Sequence, residues 1–345
     1  MPPSSGRGSP GVERLRRRKS RLQAQADDIP FGEPASHAAR NWTSSERKLR
    51  KSLHSSDFVF DAEVAYGSID HLSKVGGRPP VGKYLSQLWQ RRHFIWSESR
   101  SKVSTQNARN RLGSAWLVIR PLLDAIFYWV IFGLVLQAGR GLPNYVAFVI
   151  IGVFMFRLTS AAISSGVNIV RSSKALIRAF TFPRASIVIS LVAQTLLQQI
   201  PALLVMLSII TLVPPHAPPQ VSWLLFPLIL VLQTIFNLGV AFLFARLGAA
   251  WPDLSQAVSF MVRILMYGSA VIFPIERFVD HSPTALAIIE MNPIYACLTA
   301  YRTILIDGVT PGPDLWLQMV GWAVGMLAVG FLLFWASEES YAREH

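Results

Sequence analysis

Six times the chain runs through about twenty or more mostly apolar residues, at Leu117–Leu136, Tyr145–Val170, Ile187–Val213, Trp223–Ala249, Leu254–Phe273 and Leu315–Ala336. A helix rising about 1.5 Å per residue needs about 20 such residues to cross the hydrocarbon core of a bilayer. Backbone groups in lipid must pair among themselves, so runs of this kind fold as helices. Composition agrees, because 51% of the 345 residues are hydrophobic and 15% are charged, against roughly a quarter charged in soluble domains. The mean hydropathy is +0.36. The expected fold class is an all-α integral membrane protein with six transmembrane helices.

Loop charge predicts the orientation. "QAGRGLPN" after the first run holds one cation, Arg140, and "PPHAPPQ" after the third holds none, whereas "RSSKALIRAFTFPR" after the second holds Arg171, Lys174, Arg178 and Arg184. Short basic loops stay cytosolic, so both termini are expected inside a multi-pass plasma-membrane protein. Of the net charge of +13, most sits early: residues 1–111 carry 21 Lys/Arg against 10 Asp/Glu. Residues 1–80 have few large apolar side chains and are expected to form a disordered basic cytosolic tail. No apolar run of signal-peptide length precedes Leu117, so no cleavable signal is expected. Residues 81–116 mix Leu85, Leu88, Trp89, Phe94, Ile95 and Trp96 with cations, the pattern of an amphipathic segment lying along the inner interface. Residues 117–336 make the six-span domain, and 337–345 a short cytosolic tail. Between the fifth and sixth runs two apolar pieces are too short to span and are expected to be re-entrant or interfacial helices. Pro274 is expected to end the fifth span, and Pro293 after Asn292 to open a helix at its first position.

Several classes of chemistry find no support. Cys297 stands alone, and the seven histidines show no pair at zinc-ligand spacing, so no metal site is expected. "GRPPVGKY" (Gly77–Tyr84) has the spacing of a phosphate-binding loop, but two prolines remove amide donors and Tyr84 replaces the magnesium ligand. No nucleotide or other cofactor is expected on this chain. "RLRRRKSR" (Arg14–Arg21) lacks interleaved aromatics and reads as a solvated or lipid-attracted cluster rather than a nucleic-acid site. The outer acids Glu276, Asp280, Glu290, Asp307 and Asp314 are dispersed, so no catalytic residues are expected and the chain is read as a non-enzyme.

"RNRLGSAWLVIRPLL" entering the first run, "SSKALIRAFTFPRASIVIS" after the second, the "WPDLSQ" turn, "VIFPIERF" and "MNPIYACLTAYRTILIDG" together resemble the permease subunit of an ABC-2 type ABC exporter. The resemblance is to the branch that moves lipid-linked polysaccharides such as O-antigen, teichoic acid or cell-wall galactan, and it runs from about Lys83 to the C-terminus. It implies a homodimer of permeases, two separate nucleotide-binding subunits that hold ATP and magnesium, and a polyprenyl-pyrophosphate-linked glycan as substrate. It also implies a coupling helix after the second span. There Leu176, Ile177 and Phe180 are the apolar positions, Arg171, Lys174, Arg178 and Arg184 surround them, and Pro183 ends the helix.

Holding a pyrophosphate calls for guanidinium groups at the interface, which makes Arg109, Arg111 and Arg120 the candidates. Asp124 and Arg263 fall at similar depth and are expected to form an intramembrane charge pair, because a lone charge at the bilayer centre is costly. Aromatic faces stack on sugars, so Tyr128, Trp129, Phe132, Tyr145, Phe148, Phe154 and Phe156 are the candidates for lining a channel. "GWAVG" (Gly321–Gly325) fits a small-xxx-small helix-packing motif. Three other readings are a drug or lipid exporter of the ABC-2 type, an ion-coupled secondary transporter and a membrane glycosyltransferase or phosphatase. The spans show no repeated broken helices of the transporter kind.

Overall fold

The computed structural model describes residues 80–106, 113–128, 130–131, 144–179, 182–212, 218–274 and 283–338. The basic tail and the last residues of the chain lie outside this set. Every regular element among the described residues is helical. A short N-terminal pair, α1 (Val81–Gln90) and α2 (Arg92–Gln106), precedes α3 (Trp116–Tyr128). Then come α4 (Tyr145–Ser172), the six-residue α5 (Lys174–Ala179) and α6 (Ala185–Leu212). The second half holds α7 (Phe226–Ala250), α8 (Leu254–Gly268), α9 (Pro283–Glu290), α10 (Pro293–Arg302) and α11 (Pro313–Ala336).

Among the described residues four helices are long and apolar enough to cross a membrane: α4, α6, α7 with its 3-10 lead-in from Val221, and α11. Of the other two expected spans, the fifth is shorter here: α8 has 15 residues, below the length needed to cross. α3, Trp116–Tyr128, covers the start of the first. Part of the first expected span, with Trp129 and Phe132, lies outside the described residues. The fifth was expected to reach Pro274, but α8 stops at Gly268, where Ala270 takes φ +50°. A non-glycine residue in that conformation costs about 1–2 kcal/mol. Arg302 at the end of α10 compensates, donating Nη2 hydrogen bonds to the carbonyls of Ala270 (3.0 Å) and Val271 (2.9 Å). The expected interface segment is two helices rather than one: α1 buries Tyr84 and Leu88 one turn apart, and α2 lies along α6. Buried Ser99 of α2 donates to the Ser190 carbonyl of α6 at 3.0 Å.

α4 is the most buried of the long helices and the centre of the bundle, touched by α6, α7, α8 and α10. Between helices in lipid no hydrophobic driving force operates, so close packing and hydrogen bonds must hold them together. Both are present. Gln199 of α6 and Gln233 of α7 donate their amides to two successive carbonyls of α4, Phe154 and Met155, each at 2.9 Å. Gln233 Nε2 also reaches Thr159 Oγ1 at 3.3 Å, and its Oε1 accepts from the Tyr301 hydroxyl of α10 at 2.9 Å. α10 begins as the Asn-Pro pair predicts, with Pro293 at the first position and Asn292 Oδ1 accepting from the Ile294 amide at 2.8 Å. The Asn292 amide donates to Ser269 Oγ at 2.9 Å, which ties α10 to the end of α8.

Close packing falls on α7. A Cβ added to Gly239 would strike the backbone of Met326 on α11, one at Gly330 would strike Gly239, and one at Gly248 would strike Val167 of α4. The expected motif on α11 is displaced. Gly321 and Gly325 are exposed, a Cβ added at either would meet no other helix within 4 Å, and the packing glycine is Gly330. α11 turns the face with Met319, Ala323, Gly330 and Phe334 inward, a periodicity that leaves the "GWAVG" glycines outside. Accordingly Gly239→Leu should destabilise the purified protein by on the order of 3 kcal/mol through overpacking. Gly325→Leu should stay within about 0.5 kcal/mol. Thermal unfolding in nanodiscs separates the two.

Candidate functional site

A cavity of about 500 Å³ with one polar and one apolar wall opens between α3, α4 and α6. Arg120, Arg157, Thr195, Gln198 and Gln199 supply its polar wall, and Trp116, Leu117, Pro121, Ala161 and Ala202 its apolar wall. The sequence builds it locally. Pro121 within α3 has no amide hydrogen, so the Leu117 carbonyl one turn earlier lacks its intrahelical donor. Pro201 does the same to Leu197 on α6. Both prolines therefore weaken the helix ladder beside the cavity.

Arg157 Nη1 donates to Asp124 Oδ2 at 3.1 Å. This corrects the expected Asp124–Arg263 pair. α3 packs on α6 and α4, which brings Arg157 to Asp124, while Arg263 is exposed on α8. The side chains of Arg157 and Asp124 are 43% and 45% exposed, so solvent screening holds such a pair to about 1 kcal/mol or less. Arg120, expected to bind pyrophosphate, does lie on the cavity wall. Arg109 and Arg111 lie outside the described residues.

The aromatic candidates divide. Phe154 and Phe156 are buried in the protein core of α4. Tyr145 is also buried; its hydroxyl donates to the Ile272 carbonyl at 2.9 Å and its ring stacks on Phe148 at 6.1 Å. The Arg302 guanidinium sits 3.4 Å from the centroid of the Phe148 ring. These four side chains pack within one chain, because α4 is surrounded by α6, α7, α8 and α10. The side chain of Tyr128, with Trp129 and Phe132, lies outside the described residues.

At the other end of the bundle is the basic segment. α5 forms as expected after a break at Ser173, but its neighbours are arranged differently. Arg171 belongs to the last turn of α4 and donates Nη1 to the Pro252 carbonyl of the "WPDLSQ" turn at 3.2 Å. Ile177 is buried, with half-buried Leu176 beside it, in a core shared with Val188 and Phe334. Their apolar surface is thus used within their own chain. Pro183 stands at the opening of α6, its carbonyl accepting from the Ser186 amide at 3.0 Å. Lys174 is half-buried at the start of α5; Phe180 and the side chain of Arg178 lie outside the described residues.

The first turn of α6 is capped from two distant places. The Arg184 amide donates to Glu338 Oε1 at 3.1 Å, and the Ala185 amide donates to the Tyr84 hydroxyl at 3.0 Å. Glu338 follows α11 and is 8% exposed. Burial raises its carboxyl above the ordinary range, opposed by the Tyr84 hydroxyl and by Arg184. Burial beside Glu338 likewise raises the Tyr84 phenol.

Sequence reasoning passed over Gln198, Gln199, Gln233, Tyr301, Arg302, Tyr84 and Glu338. A signal existed for the first five, because amides and ionisable groups inside apolar runs mark interhelical bonds and polar cavities. Tyr84 and Glu338 lie 254 positions apart with no pattern connecting them.

The family profile described as ABC-2 type transporter matches residues 100–306. An O-antigen export system permease protein RfbA of Myxococcus xanthus is 21% identical over 262 residues, covering 75% of this chain and 98% of that protein. A protein of the same name from Klebsiella pneumoniae is 28% identical over 201 residues, covering 57% of this chain and 74% of its own. Another from Klebsiella pneumoniae is 26% identical over the same number of residues.

The cap on α6 makes a prediction with a definite sign. A carboxyl whose folded pKa is raised is favoured when protonated, so its contribution is full at low pH and is lost as pH rises through the folded value. Glu338→Gln keeps an acceptor for the Arg184 amide without a buried charge, and should melt at or above the wild-type temperature at neutral pH. Glu338→Ala leaves that amide unpaired and should cost about 1 kcal/mol. Melting curves of both variants at acidic and neutral pH check this.

Proposed function

The chain belongs to the ABC-2 type transporter family, and from that premise we propose that it is the transmembrane permease of an ATP-driven exporter of lipid-pyrophosphate-linked polysaccharide. The observation that carries this reading is the two-arginine cavity between α3, α4 and α6, in a chain similar over three quarters of its length to an O-antigen export permease. A pyrophosphate needs guanidinium forks, its lipid needs an apolar wall, and the cavity offers both.

In this proposal the permease is a homodimer in the plasma membrane with both termini cytosolic. Two separate nucleotide-binding subunits supply ATP hydrolysis. α3 and α8 belong to the first and fifth of six spans, completed by residues beyond their helical limits. Arg120, with Arg109 and Arg111 just before it, receives the pyrophosphate at the cytosolic side. The nucleotide-binding subunit meets the exposed side of the α5 segment, including Arg171 and Ala175. Its push reaches α6 through the buried Ile177 and the cap at Arg184.

Conditional depletion of the protein followed by extraction of lipid-linked glycans tests the proposal. The expected outcome is accumulation of a polyprenyl-pyrophosphate polysaccharide on the cytosolic side, whose sugar composition then defines the substrate as galactan, O-antigen or teichoic-acid-like. Unchanged glycans, with cells sensitised to small hydrophobic compounds, would replace it with a drug or lipid exporter. Arg120→Gln should reproduce the accumulation with normal protein levels.

A further inference from the structure

The wall of the α3–α4–α6 cavity carries two guanidinium groups, two amides and a hydroxyl, but among the described residues no carboxylate. Asp124 stands off the wall and reaches it through Arg157, which it holds by one Nη1–Oδ2 contact of 3.1 Å. That contact is single rather than a two-point fork, and both side chains are about half exposed. It is therefore weak and open to exchange.

We propose that Asp124 is the resident counter-ion of this cavity, holding Arg157 while the cavity is empty and yielding it to the diphosphate of an entering lipid. The inference rests on the lipid-pyrophosphate reading for its ligand class and adds the residue that sets the affinity. Asp124 and a diphosphate compete for the same guanidinium. A diphosphate brings several oxygens and more charge than a carboxylate, and Arg120, which makes no salt bridge among the described residues, is placed to take its second phosphate. The apolar wall at Trp116, Leu117 and Pro121 excludes water from the carbon side of the same ligand. A volume of about 500 Å³ falls within the range of small-molecule sites.

Exchange has a structural consequence. The Arg157–Asp124 bond is a polar tie between α3 and α4, and α3 otherwise meets α4 through few residues. Occupancy of the cavity releases that tie. Ligand binding is thereby linked to the freedom of α3, the helix that closes this side of the cavity.

The test uses the full chain in nanodiscs and a fluorescent polyprenyl diphosphate as the probe, with neutral polyprenol and inorganic pyrophosphate as competitors. Asp124→Asn should tighten the probe by about threefold to fivefold, equivalent to about 1 kcal/mol or less, and Arg157→Gln should weaken it by about tenfold or more. In the Arg157→Gln background the gain from Asp124→Asn should vanish, since the aspartate acts by occupying that arginine. Should Asp124→Asn fail to fold, Asp124→Ser is read in its place. Unchanged or weaker binding in the aspartate variants would make Asp124 a positioning residue or a bystander and overturn the proposal. A gain that persists without Arg157 would overturn it too. Displacement by inorganic pyrophosphate as strong as by the lipid would assign the site to free phosphate compounds and sink the lipid ligand; weak displacement supports it. Diphosphate binding that responds to Asp124 in cells whose glycans are unaffected by depletion would remove the polymer-export function and leave this inference standing.

Discussion

Gln233 joins three helices with one side chain, and most of the bundle is arranged around that fact. Its amide donates into α4 at Met155 and Thr159, and its carbonyl accepts from Tyr301 of α10. In water such bonds would add modestly to a hydrophobic core. In lipid the core has no advantage over the acyl chains, so a satisfied amide buried between helices is a main source of specific contact. The neighbouring Gln199–Phe154 bond repeats the device from α6. Together the two amides fix the rotation of α4, and that rotation presents Arg157 to the cavity and to Asp124.

Once α4 is fixed, α7 sets the spacing. Its glycines at 239 and 248 let α11 and α4 approach backbone to backbone, which brings the end of α11 alongside the start of α6. Glu338 is thereby carried to the Arg184 amide, and α1 reaches the same turn through Tyr84. The start of α6 is thus held by the two ends of the described chain and lies beside the buried Ile177 of α5.

Parts of this were legible in the chain. Asn292 and Pro293 specified the start of α10 by local chemistry, and the basic loop between two apolar runs announced α5. Span lengths were read less well, because the apolar composition of residues 254–273 continues past the point where Ala270 turns the backbone and α8 ends. Residue partners were read least well. Asp124 was matched to Arg263 on depth alone, and depth says nothing about which helices are neighbours. The glycines of "GWAVG" fitted a packing spacing yet face away, since small residues pack only where the helix rotation points them inward. Of the aromatics on α4 that looked suited to sugar, Tyr145, Phe154 and Phe156 are buried within the chain.

The amino-acid sequence by itself determined that the chain is helical and membrane-embedded, that its basic segment falls between two spans, and which family it resembles. Those properties depend on hydropathy, charge and short motifs, all of which are local along the chain. The tertiary structure decided that Asp124 belongs to Arg157, that Gln199 and Gln233 meet adjacent carbonyls, that Glu338 caps α6, and that a two-arginine cavity exists. Each of these depends on the rotation and neighbour order of helices far apart in sequence, which interhelical packing sets and no local pattern encodes.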